Sequence, residues 1–370
     1  MLATLCSELA HGSPLDRRRA LADEAIAAAE SSGDDAIIVR TLNHLYIPLQ
    51  VPSLLELALA RTADALVRAE RVGDPAQLYW AAMWRAETAA RAGDIDEMDR
   101  CIQIHGSMAA QLDQPIFTWG HTFVSAMRAQ LSGDTDRAEQ LATKALQIGT
   151  DGGQPDAGII FGAQLMIVSG QRGTMSELAT LIEKLAAETP DIPRGLFASL
   201  LAKAHVEGDR TDQARILLDE FATEDFDLPL DQIWLTGMVD YAEAAIECGD
   251  PKYAGPLFDR LAPWAGQLPA TGASALGPVS HYLGGLLAVL GRYDEADAYF
   301  NQAAEFSDRV GAKFFAARTA LSWGRMLAER RALGDADKAR DLFTRAHAAA
   351  AAHGYRNVER RAAAALQGLG

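Results

Sequence analysis

The stretch Gly291-Arg-Tyr-Asp-Glu-Ala296-Asp-Ala-Tyr-Phe300-Asn-Gln-Ala303 has the spacing of a helix that packs closely against the helix before it. Ala296, Phe300 and Ala303 are four and three residues apart, so they share one helix face. Leu283-Gly284 comes shortly before, with Gly284 seven residues ahead of Gly291. We therefore predict two antiparallel helices joined at Gly291, with small residues where they touch and Phe300 filling the gap between them.

A glycine followed about five residues later by a small or apolar residue recurs along the whole chain. The intervals between successive glycines are 40, 40, 35, 41, 42 and 43 residues. The pattern resembles the tetratricopeptide repeat, whose standard period is about 34 residues, so each helix is expected to be about one turn longer. The marker glycines are Gly93, Gly133, Gly173, Gly208, Gly249, Gly291 and Gly334.

Helix starts are marked independently of the glycines. Asp74-Pro75 places an acceptor side chain at an N-cap and proline at the first helical position. Asp113-Gln-Pro115 and Gly153-Gln-Pro155 repeat the signal at the same phase. Apolar residues follow the helical period, and alternating strand patterns are absent. The predicted fold is all-α: a right-handed α-solenoid of TPR-like antiparallel helical hairpins with a period of about 40 residues.

We expect one superhelix over residues 1–370. It comprises an incomplete first hairpin at 1–32, six hairpins over 34–265, two over 273–353 and a C-terminal capping helix at 355–369. The longest irregular connection, Pro263 to Pro278, contains Gly266, Pro269, Gly272 and Gly277. The opening helix, Met1 to His11, is short and apolar, whereas terminal repeats normally carry a polar cap. We therefore expect the natural chain to continue N-terminally.

Composition and charge narrow the function classes. The net charge of −16 argues against sequence-independent binding to nucleic acid, which needs a basic surface. The sequence has no apolar run of the roughly 18 residues that cross a membrane and no secretion signal. Cys6, Cys101 and Cys248 lie too far apart for a zinc spacing. The expected location is the cytoplasm, without direct nucleic-acid or membrane partners and without a cofactor or metal.

Charge is unevenly distributed along the chain. From Arg309 to Arg361 there are 12 basic and 5 acidic residues, while the remainder carries a net −23. This basic end either docks on an acidic neighbour or forms solvated helix faces.

Over essentially its full length the chain resembles the C-terminal helical-repeat region of large actinobacterial signalling proteins. The resemblance implies a cytosolic region that receives a signal and restrains or releases attached modules: a STAND-type ATPase with a LuxR-type or SARP/BTAD transcription factor, or a nucleotide cyclase. It implies no particular ligand. No such module is present in this chain. The stretches that carry the resemblance are Gly277-Pro-Val-Ser-His-Tyr-Leu-Gly284, Leu290-Gly-Arg-Tyr-Asp-Glu-Ala296, Asp308-Arg-Val-Gly-Ala312, Arg318-Thr to Arg325-Met-Leu-Ala328, Gly334-Asp-Ala-Asp-Lys-Ala339, Ile159-Ile-Phe-Gly-Ala-Gln-Leu165 and Asp231-Gln-Ile-Trp-Leu235.

Enzymatic signatures are missing from the sequence. Gly153 to Gly158 lacks the lysine and hydroxyl residue of a phosphate-binding loop. The stretch Gly272-Ala-Ser-Ala-Leu276 lacks the final glycine of a nucleophile elbow. We therefore predict a protein without catalytic activity. An enzyme with its site in a helical cavity is the least favoured alternative.

Repeat scaffolds usually bind through their concave face. In the tetratricopeptide pattern that face is lined by first helices, at 13, 10, 6 and 3 residues before the turn glycine. In the last hairpin the count is phased on Trp323-Gly324 instead, because Gly324 lies ten rather than seven residues before Gly334. These positions predict a groove for a protein or peptide segment, an attached ATPase or output module, or a small effector. Alternatively they pack between hairpins, and the array is purely structural or oligomerising. The predicted groove residues are Trp80, Met83, Glu87, Phe123, Met127, Gln130, His281, Arg318 and Arg325.

Overall fold

The computed structural model describes residues 1–10, 13–188 and 194–369, which form nineteen α-helices and, in these ranges, no β-strand. The prediction of an all-α fold is confirmed. Four 3-10 helices lie at Ile47–Leu49, Pro52–Leu54, Met175–Leu178 and Ala262–Trp264. The α-helices are α1 Leu2–Glu8, α2 Leu15–Ser31, α3 Asp35–Leu45, α4 Leu55–Val72, α5 Pro75–Ala92, α6 Ile95–Leu112, α7 Pro115–Leu131, α8 Thr135–Asp151, α9 Ala157–Arg172, α10 Ala179–Glu188, α11 Arg194–Glu207, α12 Thr211–Ala222, α13 Trp234–Cys248, α14 Pro251–Leu261, α15 Val279–Val289, α16 Tyr293–Val310, α17 Lys313–Arg330, α18 Asp335–His353 and α19 Arg356–Gly368.

The turn between α5 and α6 illustrates how the marker glycines work. Gly93 adopts a left-handed conformation with φ of 77°, which a residue without Cβ takes at little cost. Its N–H donates to Ala90 O at 3.0 Å, and the N–H of Asp94 donates to Ala89 O at 2.9 Å. The Asp94 side chain then accepts from the Glu97 N–H and caps α6. One short turn therefore satisfies the ends of both helices.

Two of the predicted turn glycines differ from this pattern. At Gly208 the left-handed residue is the following Asp209, with φ of 57°, so the next helix is shifted by one residue and Ala214 follows Gly208 by six residues instead of five. Helix α17 ends at Arg330, and the left-handed residue that follows it, Arg331 with φ of 57°, lies seven residues after Gly324, so the helix keeps the phase of the repeat. Gly334 instead precedes α18 as its N-cap. Gly334 lies ten residues after Gly324 instead of seven, so the three extra residues of this repeat lie after the helix.

Within a hairpin, an aromatic ring packs on a glycine of the first helix. A Cβ added at Gly284 of α15 would lie 2.9 Å from the ring of Phe300 in α16. At Gly324 of α17 it would lie 2.5 Å from the ring of Phe343 in α18. Both distances are far below ordinary contact, so only glycine lets the two helices approach this closely. The predicted packing of Phe300 is confirmed.

The superhelix winds so tightly that distant repeats touch. A Cβ on Gly93 would lie 2.7 Å from Phe306 of α16, and one on Gly173 would lie 2.8 Å from Asn357 of α19. Gln267 donates to Pro52 O over 215 positions at 2.9 Å. Sequence separations of this size correspond to about five repeats of the predicted period. One core cluster accordingly joins residues from Val39 to Ala362.

The first hairpin also has a neighbour from far along the chain. Arg18 on α2 is 2% exposed and donates to Pro48 O at 2.7 Å and to Leu230 O at 2.5 Å, the latter 212 positions away. The predicted opening helix corresponds to α1, and His11 lies outside the described residues. The hairpin is therefore packed against two parts of the chain.

Other boundaries depart modestly from the expected hairpins. Helix α9 begins at Ala157, two residues after Pro155, and α15 begins at Val279 although its hairpin was expected from residue 273. The fifth of the six hairpins expected over 34–265 should begin at residue 191, and residues 191–193 lie outside the described residues. Residues 265–278, between the last 3-10 helix and α15, form a connection that we call the inner loop.

Candidate binding surface inside the superhelix

The predicted groove residues are mostly covered. Arg318 has a side chain 14% exposed, Arg325 is 48% exposed at its side chain, and Trp80 is half-buried. The other six are no more than 6% exposed, so the expectation that they face an open trough is wrong. On α5 and α7 the covering element is the inner loop, and on α15 and α17 it is neighbouring helices. The six are Met83, Glu87, Phe123, Met127, Gln130 and His281.

The inner loop forms a tight turn with the geometry of a small hairpin. The N–H of Thr271 donates to Ser274 O at 2.8 Å, and the N–H of Ser274 donates back to Thr271 O at 3.3 Å. The N–H of Leu276 donates to Pro269 O at 2.8 Å. An isolated antiparallel bridge joins the residues between these pairs. The loop thus presents Gly272 and its neighbour as a tip.

The tip lies against side chains of α5 and α7. A Cβ added to Gly272 would lie 3.2 Å from Met83 Cε, 3.4 Å from Phe123 Cε2 and 3.5 Å from Glu87 Oε2. These three side chains are therefore in contact with the backbone of the tip. The predicted surface exists, but a segment of the same chain covers it.

Main-chain groups of the inner loop hold it in place. Three groups outside the loop form hydrogen bonds with its backbone: Arg91 O on α5, Gln130 Oε1 on α7 and the Gln50 amide before α4. Backbone hydrogen bonds of this kind hold a segment in place but depend little on its side chains. The three hydrogen bonds are Leu268 N–H to Arg91 O at 2.9 Å, Ala275 N–H to Gln130 Oε1 at 3.1 Å and Gln50 Nε2 to Ala270 O at 3.4 Å.

Glu87 is the titratable group under the tip. Its carboxyl accepts a hydrogen bond from the Gln50 amide, and its Oε2 lies 3.5 Å from the place that a Cβ on Gly272 would take. Burial raises the pKa of Glu87 to about 7, although Arg91, Tyr46, Gln50 and Gly272 all act to lower it. A buried acid with this pKa changes its charge near neutral pH.

Trp80 belongs to a row of aromatic rings beside the tip. Its ring stacks on Trp84 with centroids 5.6 Å apart, and Trp84 stacks on Tyr46 at 4.8 Å. Trp80 and Trp84 also pack against the cluster that contains Met83 and Phe123. The row extends the apolar surface under the tip toward the first repeats.

His281 and Arg318 lie in a separate, buried ionic cluster. Lys203 Nζ lies 2.9 Å from Asp240 Oδ1 and 3.3 Å from Glu243 Oε2, and Arg318 lies 3.0 Å from Glu243. Burial disfavours the charged carboxylate, but Arg318 and Lys203 outweigh it and hold the pKa of Glu243 at about 2. Two cations thus pair with two carboxylates, as in a structural network that joins α11, α13 and α17.

His281 is neutral within that cluster. Its Nδ1 lies 3.0 Å from Thr319 Oγ1, and burial, reinforced by the Arg318 charge, lowers the pKa of its imidazole to about 3. His281 therefore contributes packing and a hydrogen bond in this state, in contrast to the predicted exposed position.

The basic C-terminal end finds acidic partners within the chain. Arg325 lies 3.5 Å from Glu247 on α13, and Arg361 of α19 lies 2.6 Å from the same carboxylate. Helix α13 is therefore the acidic neighbour of these arginines, one of the two alternatives left open by the sequence. Arg325 keeps nearly half of its side chain accessible.

Sequence reasoning missed Gln50, Arg91 and the inner loop as parts of this surface. The proline and glycine residues of the loop marked it as irregular, yet its destination depends on contacts with residues about 180 positions away. Gln50 lies between two 3-10 helices, where the repeat pattern is interrupted. No local signal distinguished it from an ordinary loop residue.

The described residues do not support a metal site or a membrane-spanning helix. Among them, no group of three or more His, Cys, Asp or Glu side chains is placed to hold a metal ion. The three cysteines are buried, and burial raises the pKa of the Cys101 thiol to about 12. None of the described helices is long and apolar enough to cross a membrane.

Comparisons with known proteins add little. No family model matches the chain, and no curated protein matches its sequence. A solved structure titled "Circular tandem repeat protein with novel repeat topology and enhanced subunit contact surfaces" is 14% identical, covers 100% of this chain and 93% of its own, and has a TM-score of 0.19. The fold assignment therefore rests on the helices and turns of this chain itself.

Proposed function

We propose that this protein is a non-catalytic helical-repeat scaffold that binds a polypeptide segment on the inner face of α5 and α7. One observation carries the proposal: that face already holds a non-helical segment, the inner loop, through main-chain hydrogen bonds and an apolar contact at Gly272. A surface that accommodates its own chain in this way has the donors, acceptors and shape to accommodate another chain.

The bound loop competes with any foreign segment. Because it is tethered at both ends, its effective concentration is of the order of millimolar. A partner must therefore exceed the loop in affinity, or bind when the loop has left. This competition makes the inner loop a natural point of control over partner binding.

The proposed biological setting is the regulatory region of a cytosolic signalling protein, as the resemblance to actinobacterial regulators implies. In that setting the scaffold would restrain or release an attached ATPase, cyclase or DNA-binding module. The inner loop connects α14 to α15 and contacts α5 and α7, so its departure would change how distant repeats pack. A small effector that favours either state would act through the same equilibrium.

Exchange of the loop in trans tests the proposal. In the full chain, residues 268–276 are replaced by a segment of equal length in which serine alternates with glutamate, and a labelled, backbone-cyclised peptide of residues 265–278 is titrated by fluorescence anisotropy. We expect saturable binding to the replaced chain and none to the wild type, whose surface is occupied. Circular dichroism and a cooperative melt establish that the replaced chain is folded.

The alternative is a purely structural array, and the contact between distant repeats favours it. Tyr355 is fully buried and bonds to Gly133 O, so early and late repeats of the superhelix are in contact. The inner loop in addition occupies the interior. In that case the inner loop is simply core. A folded, loop-replaced chain that fails to bind the peptide would support this alternative and contradict the proposal.

A further inference from the structure

The tip of the inner loop defines the chemistry of the segment that this surface takes. We propose that its ligand is a tight turn of a partner chain with glycine at the tip and small, uncharged flanking residues, and that Glu87 recognises the backbone amide of that glycine. This inference rests on the proposed function of the inner face of α5 and α7.

The space at the tip selects for glycine. A single added carbon at Gly272 would already lie 3.2 Å from Met83 Cε and 3.4 Å from Phe123 Cε2. Methionine is flexible enough to yield to one methyl group, but the ring of Phe123 is 6% exposed and packed against its neighbours. A branched side chain at the tip therefore has no room.

The residues that flank the tip are small and buried. Ala273 is 7% exposed and Ala275 is 0% exposed, and Leu268 and Leu276 anchor the two ends at 0% and 2%. No residue of the inner loop carries a charge, although 23% of the chain is charged. Because an unpaired buried charge is strongly unfavourable, the surface excludes charged flanks.

Glu87 supplies the polar recognition. Its carboxyl is 3% exposed and is oriented by the Gln50 amide, and its Oε2 lies 3.5 Å from the place that a Cβ on Gly272 would take, beside the residue whose backbone N–H we assign to it. A proline at the tip lacks this N–H and leaves the acceptor without its partner. The surface therefore recognises two features of the tip: the absence of a side chain and the presence of a free backbone N–H.

Substituted peptides test this selectivity on the loop-replaced chain. Gly272→Val in the cyclised peptide should weaken binding at least tenfold, whereas Thr271→Ser, which keeps the hydroxyl bonded within the turn, should change it less than threefold. In the protein, Glu87→Leu should weaken the wild-type peptide at least tenfold. Glu87→Gln retains an acceptor oxygen and should therefore stay within about threefold.

The outcomes separate the two proposals. If the wild-type peptide fails to bind the folded, loop-replaced chain, the proposed function is contradicted. If it binds and the Gly272→Val peptide binds equally well, the proposed function survives and the selectivity for glycine is overturned. Equal binding to the Glu87→Leu chain would likewise overturn the role of Glu87.

A variant of the intact chain gives a test that does not depend on loop replacement. With Gly272→Val, amide exchange in residues 265–278 should accelerate at least tenfold while the helices stay protected. Gly255→Val in α14 is the matched control, because a Cβ there meets nothing within 4 Å. Unchanged exchange of the loop in the Gly272→Val chain would overturn the proposal.

Discussion

The hydroxyl of Tyr355 donates a hydrogen bond of 2.9 Å to the carbonyl oxygen of Gly133, 222 positions earlier in the chain. Gly133 is the left-handed turn residue between α7 and α8, and Tyr355 lies between α18 and α19. Phe314 of α17 packs edge-on against the Tyr355 ring at 5.1 Å. Turns of early repeats thus pack on late repeats, and the superhelix closes on itself.

Tyr355→Phe tests how much this closing bond contributes. It removes the donor but keeps the ring, leaving the buried Gly133 carbonyl without its partner, so we expect a loss of about 1–3 kcal/mol in the free energy of unfolding. Denaturant titration measures it. Tyr293→Phe, on the half-buried first turn of α16, is the control and should stay within about 0.5 kcal/mol. Equal effects of the two variants would contradict the closing role.

Phe123→Ala tests whether the inner face belongs to the core. Phe123 is 6% exposed and packs under the loop tip, so its truncation should destabilise the protein by about 3–5 kcal/mol. Trp80 is half-buried, and Trp80→Ala should therefore be less destabilising. Thermal melts of both variants decide the point. A small loss for Phe123→Ala would indicate that the loop leaves this surface readily.

Lys203→Met tests the buried ionic cluster. Removing the ammonium group leaves the Asp240 and Glu243 carboxylates in the interior with less compensation, and breaking such a pair costs about 3–5 kcal/mol. Lys252 is 52% exposed and lies 2.9 Å from Asp219, so Lys252→Met should cost no more than about 1 kcal/mol. Chemical unfolding of both variants measures the contrast. A neutral Lys203→Met would show that the cluster is dispensable.

Glu87→Gln tests the titration under the loop tip. Because the folded pKa is raised to about 7 from its ordinary value of 4.5, Glu87 stabilises the native state fully below about pH 4.5, and this contribution is lost as pH rises through about 7. The variant cannot ionise, so its unfolding free energy relative to wild type should increase over that window by up to about 3 kcal/mol. Urea titrations between about pH 5 and about pH 8 provide the measurement.

Glu207 has a pKa raised to about 7 by burial and contributes a slope of the same sign. The comparison is therefore made between the variant and the wild type, in which this common slope cancels. A constant difference across the window would contradict the assignment to Glu87.

His281→Gln tests the acid side of the profile. The folded pKa of His281 is lowered to about 3, so its contribution to stability is present above the unfolded value of 6.5 and is lost as pH falls toward about 3. His105 behaves in the same way, and carboxylates such as Glu97 and Glu243 with lowered pKa values add to the acid-side loss, so removing His281 should reduce this loss without abolishing it. The exposed His353 gives the control substitution, His353→Gln. Identical acid titrations of the two variants would contradict the prediction.

Much of the fold was readable from local pattern. Helix starts follow from capping residues such as Asp74, and helix ends from glycines that take a left-handed conformation, such as Gly93. The pairing of Gly284 with Phe300 followed from spacing, because small and aromatic residues at fixed helical intervals must meet across a hairpin. These features depend on interactions within about 40 residues.

The groove residues were located on the right helices, since Met83 and Phe123 do line the inner surface. Their exposure was wrong because the covering element comes from elsewhere in the chain. Gly272 reaches them only after several repeats have turned the chain back on itself. Its own sequence, rich in small residues, is compatible with either an exposed or a buried loop.

The sequence by itself therefore determined the helices, the hairpins and the period of the repeat, all of which are set by short-range spacing and capping. The tertiary structure decided that Tyr355 meets Gly133 and that the inner loop enters the superhelix. The physical reason is that each repeat adds a small rotation to the next, and these rotations accumulate over about five repeats. Whether distant turns touch depends on that accumulated angle, which no single repeat encodes.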